Sequence, residues 1–475
     1  MAPPSPYPGT LKAESFANWQ PGILLFIVAF LGFWLSPIPQ VQDTDAKYAL
    51  LVSHRLLTSG QMNLDPFFPE AAGQKDDWRI ERAGSHLYYF FPPGTSFLSL
   101  PFVAVGKLLG RSIVSPEEKY LFQVEQQLQT AIAAVLMAFL VAIFFLTARL
   151  VLPLSWSCIV ALGAGFGTQV WSTMSRGLWS DTWGALLIGV ALLILVAQEV
   201  HGRRMNPVLL GTLLAWSYIV RPTYSIHIAA ITVYVWLFHR RLIIRLVLTG
   251  ACWLIVFVTY SWIHFHTFLP SYYSPGRIKF DGFGVTLAGN LISPSRGLLC
   301  HVPAVLLVAG LVIYYWRELR WQRLVGLAGI VVAGHLIVHS SPQGSLGGGC
   351  FGARYTSGLV PWFVLCAVLA LDAMRRSSSR LPRLALATCA FLLALGVGIN
   401  GRGAMARETW MWNSDFDLHP WKMWDWKHPQ FLAGLNRHRF PQPFSRPRDE
   451  SILRAVRSKS FFGSVGAGQS KPSAG

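Results

Sequence analysis

Charged residues are scarce in this sequence. Of its 475 residues, 13% are Asp, Glu, Lys or Arg, and 53% are hydrophobic. Soluble domains usually carry about 25% charged residues, so the composition argues against a soluble protein and indicates a membrane protein. The net charge is nevertheless +18. Many of the Lys and Arg residues flank apolar segments, where membrane topology explains them, so we predict no nucleic-acid partner.

Motifs for metals and nucleotides are also missing. None of the six cysteines is spaced as CxxC. The histidines of His264-Phe265-His266 have no acid cluster nearby, so we predict no metal site. The glycine-rich run 347–352 belongs to no strand–helix unit and is therefore neither a P-loop nor a dinucleotide-binding fingerprint. We expect no cofactor.

Long apolar segments are abundant. A helix needs about 20 apolar residues to cross the roughly 30 Å hydrocarbon layer of a bilayer. This template predicts an all-α, polytopic helical bundle of about 11 spans in a lipid bilayer. The spans are predicted at 22–39, 124–147, 155–174, 178–198, 206–220, 222–238, 243–266, 298–315, 323–340, 358–374 and 382–400.

Lys and Arg are concentrated in alternate loops between these spans. Because cytoplasmic loops carry an excess of cations, this pattern predicts a cytoplasmic N-terminus and a large first extracytoplasmic loop, 40–122. Within that loop, Asp45–Ser59 is predicted to be a surface helix ended by Gly60. Residues 95–110 are apolar but broken by Pro101, which predicts an interfacial or re-entrant helix.

Composition divides the chain into four parts. The first and last are rich in Pro, Ser or Gly and are predicted to be disordered. Tryptophan is concentrated after the last span, which is typical of a membrane–water interface. The predicted parts are a cytoplasmic N-terminus at 1–21, a transmembrane domain at 22–400, an extracytoplasmic interfacial segment at 401–436 and a basic tail at 437–475.

Four arginines lie at the outer ends of predicted spans, where the topology rule disfavours them. Each has a Gly or Pro within two residues. Guanidinium groups suit phosphate, so arginines that converge there would hold the phosphate or pyrophosphate of a lipid carrier. Alternatively, each extends to an ordinary lipid headgroup. The four are Arg176, Arg221, Arg296 and Arg354.

Three acids are candidates for chemistry. Asp43 and Asp45 directly follow the first span, where a carboxylate would take a proton from an acceptor hydroxyl. The alternative is that one of them caps the surface helix. Asp181 begins a later span, and an acid at membrane depth is expected to be paired, here with Arg176, or functional. The aromatic stretch at Tyr88 either stacks on a sugar or anchors the loop in the interface.

In their order along the chain, these features resemble the GT-C superfamily of membrane glycosyltransferases. That superfamily includes protein O-mannosyltransferases and lipid A aminoarabinose transferases, and the resemblance covers most of residues 20–435. It is carried by the acid-bearing first outer loop and by the stretches Tyr88–Gly94, Ser175–Trp179, Arg221–Thr223, Ser293–Gly297, Gly348–Tyr355 and Trp424–Trp426.

The resemblance implies an enzyme of the inner or plasma membrane that works at the outer face. It would transfer a sugar, with inversion, from a polyprenyl-phosphate carrier to a glycan, lipid or protein acceptor. Asp45, with Asp43 second, would be the general base. The four arginines would bind the lipid phosphate, and the sugar or acceptor would contact His86, Tyr88, Asp181 and Tyr355.

Two other functions remain open at this point. A transporter or flippase of lipid-linked sugars predicts internal repeats, and the sequence shows none. A non-catalytic partner in envelope assembly predicts that both Asp43 and Asp45 are dispensable for any transfer.

Overall fold

The structure is a computed structural model. It describes residues 20–40, 44–68, 77–274, 276, 280–341, 347–378, 383–414 and 419–435. Asp43, nearly all of the predicted N-terminal part and the whole predicted basic tail lie outside the described residues. Met1–Ala433 form one compact unit and Gly434–Gly475 a second. All contacts given below lie in the first unit.

The described residues are mostly helical, at 72%. The described residues also contain one antiparallel hairpin, in which Ile80 pairs with Tyr89 and Ala83 with His86. The elements are α1 Gln20–Trp34, α2 Ala49–Ser59, β1 Ile80–Ala83, β2 His86–Tyr89, α3 Gly94–Leu108, α4 Phe122–Arg149, α5 Leu154–Phe166, α6 Ser180–His201, α7 Pro207–Val220, α8 Ser225–Phe238, α9 Arg240–Phe265, α10 Phe283–Ile292, α11 Leu298–His301, α12 Ala304–Tyr314, α13 Gln322–Ser340, α14 Val360–Arg376, α15 Arg383–Met405 and α16 Arg407–Met411.

Every predicted span overlaps a helix or two consecutive helices. Six helical segments in the described parts are long and apolar enough to cross a membrane. This supports the membrane-protein prediction, whereas the count of about 11 spans stays a prediction. The six are Phe122–Arg149, Ser180–His201, Arg240–Phe265, Gln322–Ser340, Arg354–Arg376 and Ala387–Met405.

Helix α4 is the centre of the larger hydrophobic core. Leu136, Met137, Leu140 and Phe144 are all buried, because α1, α5 and α6 pack around it. A helix that is apolar on every side is stable only when it is covered on every side. A second core joins α6, α7, α8, α13 and α14.

The first outer loop differs in one respect from the prediction. Helix α2 begins at Ala49 rather than Asp45 and ends at Gly60, whose φ of 69° is left-handed as expected. The amides of Tyr48 and Leu50 donate to the Glu125 carboxylate of α4 at 3.2 and 2.8 Å. Glu125 therefore supplies the helix cap that was predicted, as an alternative role, for Asp43 or Asp45.

The capping role of Glu125 can be tested by substitution. It is fully buried and also accepts from the Tyr120 hydroxyl and from Gln129. Because Glu125→Leu leaves several buried donors unpaired, we expect it to reduce stability by about 3 kcal/mol. Thermal unfolding in detergent measures the change.

The matched control is Glu117→Leu, at an exposed acid just before α4. We expect a change within about 0.5 kcal/mol there. Equal unfolding temperatures for the two variants would contradict the capping role of Glu125.

Candidate functional site

Two ion pairs lie together where the first outer loop meets the helix ends. Asp45 Oδ2 accepts from Arg354 Nη2, and Asp181 Oδ2 accepts from Arg221 Nη1. Asp181 also interacts electrostatically with Arg354 and Asp45. The Asp181 and Arg221 side chains are 4% and 6% exposed, against 17% and 10% for Asp45 and Arg354. The Asp45–Arg354 pair is therefore the more accessible of the two.

The turn that carries Asp45 is fixed by its backbone. Three successive carbonyl groups accept hydrogen bonds from side chains of different elements, which leaves this short segment little freedom. Arg79 donates to the carbonyl of Thr44 at 3.4 Å, Tyr89 to that of Asp45, and Gln129 to that of Ala46 at 2.7 Å.

Tyr48, at the end of this turn, has a left-handed backbone with a φ of 77°. This conformation costs a non-glycine residue about 1–2 kcal/mol, so the surrounding contacts must hold it. Its hydroxyl donates to Asp77 at 2.8 Å. Burial would raise the pKa of Asp77, but hydrogen bonds from Arg79 and Tyr48 outweigh burial and lower that pKa overall.

Arg354 lies over the face of an aromatic ring. Its guanidinium carbon is 3.7 Å from the ring centroid of Trp179, and its Nη1 donates to the Gly347 carbonyl at 3.4 Å. Among the described residues, Arg354 Nε, Asp45 Oδ1 and Trp179 Nε1 are buried without a hydrogen-bond partner. Buried polar atoms are normally paired, so these three unpaired atoms make the region a candidate for ligand binding.

Arg221 occupies the more enclosed half of the site. Its Nη1 also donates to the Ser180 hydroxyl at 3.1 Å and its Nε to that of Thr223 at 3.2 Å. The neighbouring Tyr224 ring packs so closely that a Cβ on Gly184 would lie 2.2 Å from it. Arg176 was predicted to be the partner of Asp181, but the structure shows that the partner is Arg221.

Arg176 has a different role in the structure. It is completely buried, and its two Nη atoms donate to the carbonyls of Phe33 and Ser36. Both carbonyls lie at the C-terminal end of α1, where carbonyl groups have no partner within the helix. Arg176 therefore caps α1, with its donors directed to the backbone.

Arg296 is likewise held by the protein itself. It donates to the carbonyls of Ser295 and Gly348 at 3.0 and 3.1 Å and to Asn413 Oδ1 at 2.7 Å. It also donates to Gln430 Oε1. These contacts tie the Trp-rich segment after α15 to the glycine-rich run that precedes Arg354.

The residues predicted for sugar or acceptor binding are dispersed. The Nδ1 of His86 lies 2.6 Å from Asp65 Oδ2, and both side chains are partly exposed. Tyr88 is buried, with its ring centroid 5.7 Å from that of His264. Only Asp181, and Tyr355 by adjacency to Arg354, belong to the ion-pair region.

Several residues that build the site were missed by the sequence analysis. Glu125 and Gln129 lie inside an apolar span, and a polar residue there was a signal that could have been read. Arg79 had no such signal, because an arginine in a polar loop is ordinary.

Comparison with known proteins gives a fold similarity and little more. No family model matches the chain, and no curated protein matches it. Among solved structures it is similar to ArnT from Cupriavidus metallidurans in the apo state, with 16% identity, a TM-score of 0.46, and coverage of 82% of this chain and 68% of that chain. For ArnT bound to undecaprenyl phosphate the values are 15%, 0.48, 84% and 70%.

ArnT is a lipid A aminoarabinose transferase of the GT-C type, the class that the sequence motifs resemble. At these identities and TM-scores the likeness does not assign this chain a family or an activity.

The Asp181–Arg221 ion pair, the more enclosed of the two, can be tested with a double-mutant cycle. Removing one partner of a buried ion pair leaves an uncompensated charge, so we expect Arg221→Met and Asp181→Leu each to cost about 3–5 kcal/mol. The double variant should lose clearly less than the sum, as judged by thermal unfolding in detergent. Additive losses would show that the two side chains do not depend on each other.

Proposed function

We propose that the chain is an integral membrane glycosyltransferase that uses a sugar linked to a polyprenyl phosphate. The observation that carries the proposal is the Asp45–Arg354 ion pair, accessible at one edge and joined to Arg221 and Asp181. It combines a carboxylate fit to act as a base with guanidinium groups fit to bind a phosphate. The sequence resemblance to GT-C enzymes supports the same reading.

The phosphate of the donor is proposed to bind Arg354 and Arg221. A phosphate group accepts bidentate hydrogen bonds from guanidinium groups and competes with a carboxylate for them. Arg354 has a spare Nε, so it can bind a second anion. ArnT has been crystallised with undecaprenyl phosphate; for this chain the proposed carrier rests on the two arginines. Arg176 and Arg296 are proposed to be structural.

The reaction is proposed to be a single displacement. The acceptor hydroxyl oxygen attacks the anomeric carbon while the bond from that carbon to the phosphate oxygen breaks, which inverts the configuration. The acceptor proton passes to the Asp45 carboxylate, and the lipid phosphate leaves with its charge balanced by Arg354 and Arg221. Asp43, outside the described residues, is the alternative base. The proposed step uses neither a metal nor a cofactor.

Asp45→Asn tests the base. In membranes that contain the protein and a labelled polyprenyl-phosphate sugar, we expect donor consumption to fall about 10²- to 10⁴-fold. The matched control is Asp281→Asn, at an exposed acid of another loop. We expect that control to consume donor at the normal rate.

Asp43→Asn is the second arm of this assay. Full donor consumption by both Asp43→Asn and Asp45→Asn would refute the assignment of a first-loop base. Lipid-linked sugar that crosses the bilayer without transfer would instead favour a flippase.

The site is proposed to face the outside of the inner or plasma membrane. Glu117 and Arg204 are both exposed, one in the first outer loop and the other in the arginine-bearing loop after α6. In whole cells, an impermeant thiol reagent should label Glu117→Cys above the parent level but label Arg204→Cys only after permeabilisation. The reverse pattern would invert the proposed topology.

A further inference from the structure

Three buried side chains form an unbroken line of hydrogen bonds that ends beside Arg354. Trp362 Nε1 lies 3.0 Å from His227 Nδ1, and His227 Nε2 lies 3.0 Å from His335 Nδ1. His335 Nε2 then lies 2.8 Å from the carbonyl oxygen of Tyr355. Trp362, His227 and His335 are at most 1% exposed, and they come from three different helices, α14, α8 and α13.

The chemistry of the two ends fixes every proton in this line. An indole N–H only donates, so His227 Nδ1 must accept and its proton must lie on Nε2. His227 Nε2 therefore donates to His335 Nδ1, which places the second proton on His335 Nε2. A carbonyl oxygen only accepts, so His335 Nε2–H donates to Tyr355. A second proton on either imidazole would set one N–H against another.

The line terminates on the backbone of the residue that follows Arg354. His335 also contacts the Tyr355 side chain indirectly, because the tilted His339 ring lies between them, with its centroid 4.2 Å from that of His335 and 5.3 Å from that of Tyr355. Packing is tight here: a Cβ on Gly358 would lie 3.3 Å from His335 Cε1. His335 therefore holds the Tyr355–Thr356 peptide, which is one residue along the chain from Arg354.

We propose that His227 and His335, both neutral and protonated on Nε2, are positioning residues that orient Arg354 toward Asp45. Neither imidazole touches Asp45 or the Arg354 guanidinium, so each acts through the Tyr355 carbonyl. The tautomers follow from the hydrogen bonds alone, whereas the effect on turnover rests on the proposed function. The two parts are tested separately.

The tautomers are tested by magnetic resonance on the whole chain with ¹⁵N-labelled histidine in nanodiscs at pH 7. We expect both residues to give the neutral signal with the proton on Nε2, assigned by its loss in His227→Gln and His335→Gln. A charged imidazole, or a proton on Nδ1, at either position would overturn the proposal. This outcome does not depend on any activity.

The positioning role is tested with two substitutions at one site. The Gln side-chain amide can still donate to the Tyr355 carbonyl, whereas Leu cannot. Because misplacement of a catalytic group by about 1 Å costs about 100-fold in rate, we expect His335→Leu to lower kcat for donor turnover roughly 10- to 100-fold. His335→Gln should recover most of that loss, and KM should change less than kcat in both.

The matched control is His239→Gln. His239 directly follows the C-terminal end of α8, and its Nε2 lies 2.8 Å from Glu199 Oε1. This variant should keep normal turnover. Equal kcat for His335→Leu and His335→Gln would overturn the positioning role. If the Leu variant fails to fold, a 100-fold lower kcat in His335→Gln would also overturn it. Absence of donor turnover in the unmodified protein would instead refute the proposed function and leave the tautomer test standing.

Discussion

The contact between the Asp45 carboxylate and the Arg354 guanidinium joins segments 309 residues apart. It closes the first outer loop against the turn that precedes α14. Stability alone does not explain this contact. The attraction between two buried charges offsets the hydration that they lose only when the geometry is excellent. We therefore propose that a ligand uses these two neighbouring pairs, with their spare donors and spare acceptor.

Both members of this pair are held by groups that take no part in the proposed reaction. Around Asp45 these are the side chains that bind three successive backbone carbonyls; around Arg354 they are the Trp179 ring and the histidine line behind Tyr355. Such support reduces the reorganisation needed when charge develops in a transition state. Arg176 and Arg296 support the structure further from this pair. Arg176 caps α1, and Arg296 connects the Trp-rich segment to the glycine-rich run.

The helices could be predicted well from sequence, because an apolar stretch of about 20 residues needs no knowledge of its neighbours. The unusual positions of the four outer arginines could also be recognised from the sequence. Which of them would pair with an acid could not be predicted, since that depends on what the folded chain places opposite each arginine. The helix cap from Glu125 could not be predicted for the same reason, because its partners Tyr48 and Leu50 are more than 70 residues away.

Arg354 and Arg221 are proposed to form a phosphate site whose occupation releases Asp45. A cryo-electron microscopy structure of the protein in nanodiscs with an added polyprenyl phosphate is the decisive measurement. We expect the phosphate within hydrogen-bond distance of Arg354 and Arg221, with the Asp45 carboxylate turned away from Arg354. A phosphate bound elsewhere, with the Asp45–Arg354 contact intact, would contradict it.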